Sequence, residues 1–496
     1  MQLTSFNTAQ KWHALDMYCA TSILRGPTSQ NLYTIILTRT DFDDIRPYAR
    51  VIGCTMWSAI DPPHCSKRRA VAVLRCQCAA AHPSPHEEIS QNAGVDKEWK
   101  FHAARDENNV ALTSAHCDVA FPKLYHEIDR SVKLWRDKQH SITEQDTSIS
   151  WRNDAAFRLL IHNSSLRILE TKGAMNNAYR YRTLAVLHQL HTALLGAKVS
   201  GEKLPTIEFA VTVDDMSLIP AGNDTHAIWA FTRRLVDEDQ DRCWLMPDFN
   251  FWAGPEGANS GSFYEAGRRA RRHDRAFGDK IPKAVWRGVA WTNAALREGL
   301  LRATRDKAWA DVRETVWENG TNFMALEGLC DYAFGVHTEG RSWSGRLKYL
   351  LNCDSVAIVH ELDWTAYYYH LLVHEGREQN YVPVRRDWTD LEGKVEYYLA
   401  KAHLAETERI LERARVTFRE RYLTAAAEAC YWRRLVRGYG EVAVTPASVE
   451  STSGDGEGLR GISFEEFVLG ATEWPVPGHD GSSAQAAQDQ HHFRFS

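Results

Sequence analysis

The sequence predicts an α/β protein built as more than one layered domain, and three observations carry that reading. Short apolar runs such as "IEFAVTV", "KAVWRGVAW" and "SVAIVH" alternate with segments whose apolar residues recur at three- and four-residue spacing, which is the pattern of strands followed by helices in mostly parallel sheets. The chain has 496 residues, too many for one ordinary core and enough for two or three domains. Charged residues make up 25% and hydrophobic residues 44% of it, a globular composition.

In chain order, residues 1–97 read as an atypical, poorly ordered lead-in. The stretch "IDPPHCSKRRAVAVLRCQCAAAHPSPHEEIS" has no sustained period. His64, Cys65, Cys76, Cys78, His82 and His86 fall there, but the C-x-C pair has no second C-x-x-C or H-x-x-x-H partner, so no metal site is assigned. From Trp99 the texture is globular. "FPKLYHEIDRSVKLWRD" and "NNAYRYRTLAVLHQLHTALLGAK" have helical spacing. "LPTIEFAVTVDD" turns Ile207, Phe209, Val211 and Val213 inward as a strand and ends in Asp214 and Asp215. "KAVWRGVAW", "SVAIVH" and "NYVPVRRDW" are further strands, and residues 390–436 read as one long helical run. Residues 441–496 are a linker-like tail carrying a small apolar insert, "ISFEEFVL".

Several function classes are disfavoured. A net charge of -5 and a pI near 6.5 argue against a nucleic-acid surface, and "RRARRHDR" (268–275) reads as a solvated helix face. No run approaches the ~18 apolar residues of a membrane span, and the first 25 residues lack the apolar centre of a signal peptide. Ten cysteines and sequons at Asn163, Asn223 and Asn319 point the other way, toward the secretory pathway. The residues alone leave the compartment open.

Two places could carry chemistry. Asp214 and Asp215 stand at a strand's carboxyl end, where open α/β sheets bind ligands. They suit a general base, a cation pair, or ordinary turn capping. The loop 339–346, "EGRSWSGR", places small residues at Gly340, Ser342, Ser344 and Gly345 ahead of a short helix, with Arg341, Trp343 and Arg346 among them. Backbone N–H groups at a helix start, a close approach over glycine and a planar guanidinium together suit phosphate. No Walker lysine follows, and the spacing is not G-x-G-x-x-G. In "PKAVWRGVAWTNAALREGLL" a strand ends at Trp286-Arg287-Gly288, with Arg297 near the start of the next helix. Arg297 and Arg346 together could clamp a diphosphate, whereas Arg287 is as well suited to a buried structural pair.

"RDENNVALTSAHCDVAFPKLYHEIDRS", "PKAVWRG", "EGRSWSGRLKYLLNCDSVAI" and "NYVPVRRDWTDL", in that order, resemble the capsule-associated glycosyltransferases, a family that includes fungal xylosyltransferases and animal protein O-glucosyltransferases. The similarity runs with gaps from about Trp99 to about Gly440. It implies a GT-B-like arrangement of two Rossmann-like domains facing a central cleft: 98–270 on the acceptor side and 271–440 binding the nucleotide sugar. It further implies an inverting enzyme without a metal or other cofactor, moving xylose or glucose from a UDP-sugar to a hydroxyl on a glycan or glycoprotein. Golgi or endoplasmic-reticulum residence, with membrane association through an anchor this sequence lacks, is implied too. By position, Asp215 matches the family's catalytic base, with Asp214 beside it where the family has a non-acidic residue. Arg287, Gly288, Arg297, Gly340, Arg341, Ser342, Trp343, Ser344 and Arg346 fall where the donor is held. Val289 replaces a serine of the family pattern. A catalytically inactive member that only binds nucleotide sugars or glycans is the alternative.

Overall fold

The computed structural model describes residues 99–471 except 177, 223, 253–260, 317–318 and 451–458, together with strands at 32–38, 54–60 and 71–77. The chain divides into two compact units, Met1–Gly94 and Val95–Ser496. In the first, where the sequence predicted an irregular lead-in, β1 (Leu32–Thr38), β2 (Cys54–Ile60) and β3 (Val71–Gln77) pair antiparallel in the order β1-β3-β2. His64, Cys65, Cys78, His82 and His86, with the Cys76 side chain, lie outside the described residues.

The second unit holds two main sheets. Its strands in chain order are β4 (Ala156–His162), β5 (Ser165–Lys172), β6 (Ile207–Thr212), β7 (Ile228–Ala230), β8 (Arg233–Arg234) and β9 (Cys243–Leu245). After these come β10 (Ile281–Gly288), β11 (Ala310–Glu314), β12 (Tyr332–His337), β13 (Val356–His360), β14 (Trp364–Thr365), β15 (Val382–Val384) and β16 (Ile462–Ser463). The first sheet runs β16-β5-β4-β6-β7-β9 and the second β11-β10-β12-β13-β15. The second is wholly parallel. In the first, only β6-β7-β9 is parallel, and β4 and β5 form an antiparallel hairpin. That hairpin turns on Asn163 and Ser164, at φ 49° and 55°, so both turn residues occupy the left-handed region that a two-residue hairpin requires. β8 and β14 pair antiparallel and join the chain near the two sheets.

Central strand β6 is buried along its whole length. Ile207, Phe209, Val211 and Val213 enter the large aromatic core with Trp229, Trp244 and Tyr439. The opposite face carries Ala210 in a smaller cluster and buried Glu208, which is paired with Arg158 and Arg460. A second core lies under the parallel sheet and includes Trp286, Phe334, Ile358 and Trp388.

The long helical run is broken. Ala400 leaves the helix Leu391–Leu399 with ψ 132°, and the last helix, Ala425–Gly440, starts afresh at Thr424, whose side chain accepts the Ala427 N–H. That helix returns to the first sheet: Tyr431 donates to the Leu245 carbonyl at 2.8 Å, and Trp432 packs on Trp229. The tail returns as well, with β16 pairing to β5 and Phe464 stacking on His191.

Two disulfides close the unit, Cys117–Cys430 and Cys330–Cys353. The arginines of 268–275 form surface ion pairs, among them Arg271–Glu107 and Arg275–Asp331. Among the described residues no helix is long and apolar enough to cross a membrane.

Candidate active site

β6 ends at Thr212, and the two aspartates that follow part company. Asp214 turns to the Thr212 side, where Arg152 donates to both the Thr212 hydroxyl (3.2 Å) and Asp214 Oδ2 (3.3 Å). Asp214 Oδ1 accepts the Met216 N–H. Both of its oxygens are engaged, as in a capped turn.

Asp215 faces a cavity of about 190 Å³ bounded by Arg182, Asn250, Arg297, Ser342 and Arg346, among others. Its Oδ1 accepts Arg182 Nη1 at 2.8 Å. Its Oδ2 makes no hydrogen bond among the described residues. Each aspartate is thus matched to its own arginine, an arrangement that disfavours sharing a divalent cation between them. Among the described residues no cluster of three or more His, Cys, Asp or Glu side chains has metal-binding geometry.

The opposite wall comes from the parallel sheet. Gly288 closes β10, and a Cβ there would stand 2.7 Å from the Trp286 ring and 3.3 Å from Arg346 Nη1, so only glycine fits. Arg297, on the helix Ala294–Ala303, is buried. It donates to the carbonyls of Glu339 (2.9 Å) and Val289 (2.8 Å). The guanidinium carbons of Arg297 and Arg346 lie 5.8 and 5.9 Å from the Trp286 ring centre. Burial, and then the charge of Arg346, pushes Arg297 down to about 9. Two cations held together in a desolvated wall form a site that an anion would stabilise.

The loop after β12 joins the two walls. Ser342 Oγ donates to the Asp215 carbonyl at 2.6 Å. Buried Glu339 accepts the N–H groups of Asp363 and Trp364 and an Arg386 contact at 2.8 Å, which fixes the loop's root. The Gly340 N–H is used internally, on the Ser342 carbonyl. The N–H groups of Arg341, Ser342, Trp343, Ser344 and Gly345 make no hydrogen bonds among the described residues. The helix beyond, Arg346–Leu350, has only five residues. Its dipole is therefore short, and the site's positive charge comes mainly from the arginines. Lys348, fully buried, pairs with Asp248 at 2.7 Å and ties this helix to the turn Phe249–Phe251.

Of the residues expected from the sequence, Asp215, Gly288, Arg297, Gly340, Arg341, Ser342, Trp343, Ser344 and Arg346 line one cavity. Trp343 is a buried wall against Phe231, and Arg341 is exposed over Trp291 at 5.5 Å. Two of the candidate residues lie off this cavity. Asp214 is a turn cap held by Arg152. Arg287 points away from the cavity into a buried pair with Asp311 at 2.9 Å. On a strand, neighbours face opposite ways; Trp286 faces the arginines, so Arg287 cannot. The sequence reading missed Arg182, Phe249 and Asn250. No spacing signal marks them, because they reach the cavity from elements remote in sequence.

Curated relatives include an O-glucosyltransferase rumi homolog of Anopheles gambiae, 25% identical over 302 residues that cover 55% of this chain and 74% of the relative. The rumi homolog of Aedes aegypti is 30% identical over 28% of this chain and 34% of its own length. Protein O-glucosyltransferase 2 of Danio rerio is 31% identical over 34% of this chain and 35% of its own. The chain therefore spans about a third of two of these relatives and about three quarters of the other. The model of glycosyl transferase family 90 matches residues 114–454, more than half of the chain and all of the cavity, and the chain belongs to that family.

Proposed function

We propose that this enzyme moves a sugar from a UDP-sugar to an acceptor hydroxyl with inversion and without a metal, in a GT-B-like cleft between the two sheets. One observation carries the reading: a carboxylate with one open oxygen, Asp215, lines the same cavity as two clustered arginines. Asp215 takes the acceptor proton as the hydroxyl oxygen attacks the anomeric carbon. The bond from that carbon to the diphosphate breaks, and the diphosphate leaves with the electron pair, its charge met by Arg297, Arg346 and the loop amides. Glucose is favoured as donor sugar by the names of the relatives, and xylose is the alternative. The acceptor is a glycan or protein hydroxyl.

Two disulfides and exposed sequons at Asn163 and Asn319 favour an oxidising, secretory compartment; Asn223 lies outside the described residues. The test is release of free sugar or transfer from a panel of UDP-sugars by purified full-length protein, with and without chelator. Asp215→Asn should bind UDP normally and lose transfer by a factor on the order of 10² or more. Absence of turnover with every donor, alongside UDP binding, would mark an inactive sugar-nucleotide-binding member instead. Loss of activity in chelator would overturn the metal-free mechanism.

A further inference from the structure

We propose that Arg182 is a positioning residue for sugar transfer: it clamps one oxygen of Asp215 and so presents the other to the acceptor hydroxyl. This rests on the reading of Asp215 as the base. Arg182 stands at the start of the helix Arg180–Ser200 and is buried, while Asp215 keeps 25% of its side chain exposed.

The guanidinium is itself fixed from several sides. Nη1 donates to Asp215 Oδ1 at 2.8 Å and to the Val213 carbonyl at 3.2 Å. Nε donates to the Tyr181 hydroxyl at 3.1 Å. Its carbon lies 4.7 Å from the centre of the Phe249 ring, which holds the plane in place. An arginine that only neutralised a surface carboxylate would not need a backbone carbonyl, a phenol and an aromatic face to hold it. The neighbouring pair makes the contrast: Arg152 serves Asp214, whose two oxygens are both taken, whereas Arg182 leaves Asp215 Oδ2 open.

The charged and titratable groups around Asp215 can be named. Tyr179, Tyr181 and Arg182 come from the helix and the residue before it, Asp154 precedes β4, and Asp214 follows β6. Arg297, Arg341 and Arg346 line the facing wall of the cavity. Among the described residues Arg182 is the one cation in hydrogen-bond contact with the carboxylate. During transfer the acceptor proton passes to Oδ2 while Oδ1 keeps its donor, and the carboxylate need not rotate.

The experiment measures kcat and the acceptor KM for wild type, Arg182→Gln, Arg182→Lys and Asp215→Asn, with UDP affinity measured by calorimetry. Arg182→Gln should lower kcat per folded molecule tenfold or more at neutral pH. UDP affinity should stay within about threefold, since the distal arginines are intact. Arg182→Lys should restore kcat only in part, because an ammonium supplies charge without the planar fork. A kcat in Arg182→Gln that falls only as far as folded protein is lost would overturn the proposal. Should Arg182→Gln not fold, a Lys variant with wild-type kcat would overturn it equally. Retained transfer in Asp215→Asn would instead overturn the base assignment, whatever Arg182 does.

Discussion

Replacing Arg297 with methionine should cost substrate binding and leave stability nearly unchanged, an outcome that separates a ligand-binding arginine from a structural one. The folded chain holds this guanidinium at about 9, well below its ordinary value. A basic group whose value is depressed on folding opposes folding throughout the range below about 9, and that opposition fades as pH rises from there toward the ordinary guanidinium value. At neutral pH it amounts to about 5 kcal/mol. Methionine removes it and fills much of the same volume. Against this stand the carbonyls of Glu339 and Val289, which lose their donor, at about 1–3 kcal/mol each. The two effects nearly cancel, so Tm should move by no more than about 5 °C.

The diphosphate has no such compensation. One cation–anion contact at about 4 Å, in surroundings of effective dielectric 20, is worth about 4 kcal/mol, and water in an open cleft reduces that to roughly 2–4 kcal/mol. The Kd for UDP should therefore rise by about 30- to 1000-fold. UMP should lose less and uridine almost nothing. Calorimetric titration of the three ligands, beside a thermal melt, gives all the numbers needed. A large fall in Tm together with equal losses for uridine, UMP and UDP would refute the reasoning, because Arg297 would then be a loop strut alone.

Three other outcomes follow from named contacts. Asp214→Asn should keep transfer within about threefold of wild type and cost about 1 kcal/mol of stability, since only the partly buried pair to Arg152 is lost; abolished transfer would make Asp214 the base. Glu428 is buried, and burial raises its carboxyl from 4.5 to about 7. The folded chain then holds a proton that the unfolded chain releases, so stability is full below about 4.5 and falls by about 3 kcal/mol as pH rises through 7. Glu428→Gln should flatten that decline in melts between pH 5 and 8, and parallel curves would show that Glu428 does not titrate there. Enzymatic removal of N-glycans should lower the mass of natively produced protein, and Asn163→Gln should remove one glycan's share of the shift; an unchanged mass in both would place the protein outside the glycosylation route.

Legibility varied with how local the determining interaction is. β6 and the loop at 339–346 could be read directly, the strand because Ile207, Phe209, Val211 and Val213 alternate into one core, the loop because small residues and arginines sit together. The β4–β5 hairpin was hidden because its turn uses Asn163 and Ser164 rather than an Asn-Gly pair, although both adopt positive φ. The break at Ala400 is hidden for another reason: "YYLAKAH" has no proline or glycine, so packing rather than propensity ends the helix. Cys117 and Cys430 are 313 residues apart, and no sequence rule pairs cysteines at that separation. Arg182 is invisible for the same reason. It is one arginine in "YRYR", and its role exists only once the helix start lies against the end of β6.

One rule already in the sequence separates the candidates that line the cavity from the two that do not. Side chains on a strand alternate, so two neighbours cannot serve the same cleft. On β10, Trp286 lies under Arg297 and Arg346; parity sends Arg287 to the other face, where Asp311 of neighbouring β11 meets it. Past the end of β6 the same parity persists for one turn. Asp214 shares the side of Thr212, and Arg152 bonds them both. Asp215 shares the parity of Val211 and Val213, and Arg182 contacts both the Val213 carbonyl and the Asp215 carboxylate. A motif match places two adjacent aspartates, or an arginine beside a glycine, equally close to a ligand. Strand parity admits only one of each pair, and at both strand ends the residue it admits, Asp215 and Gly288, is the one that lines the cavity.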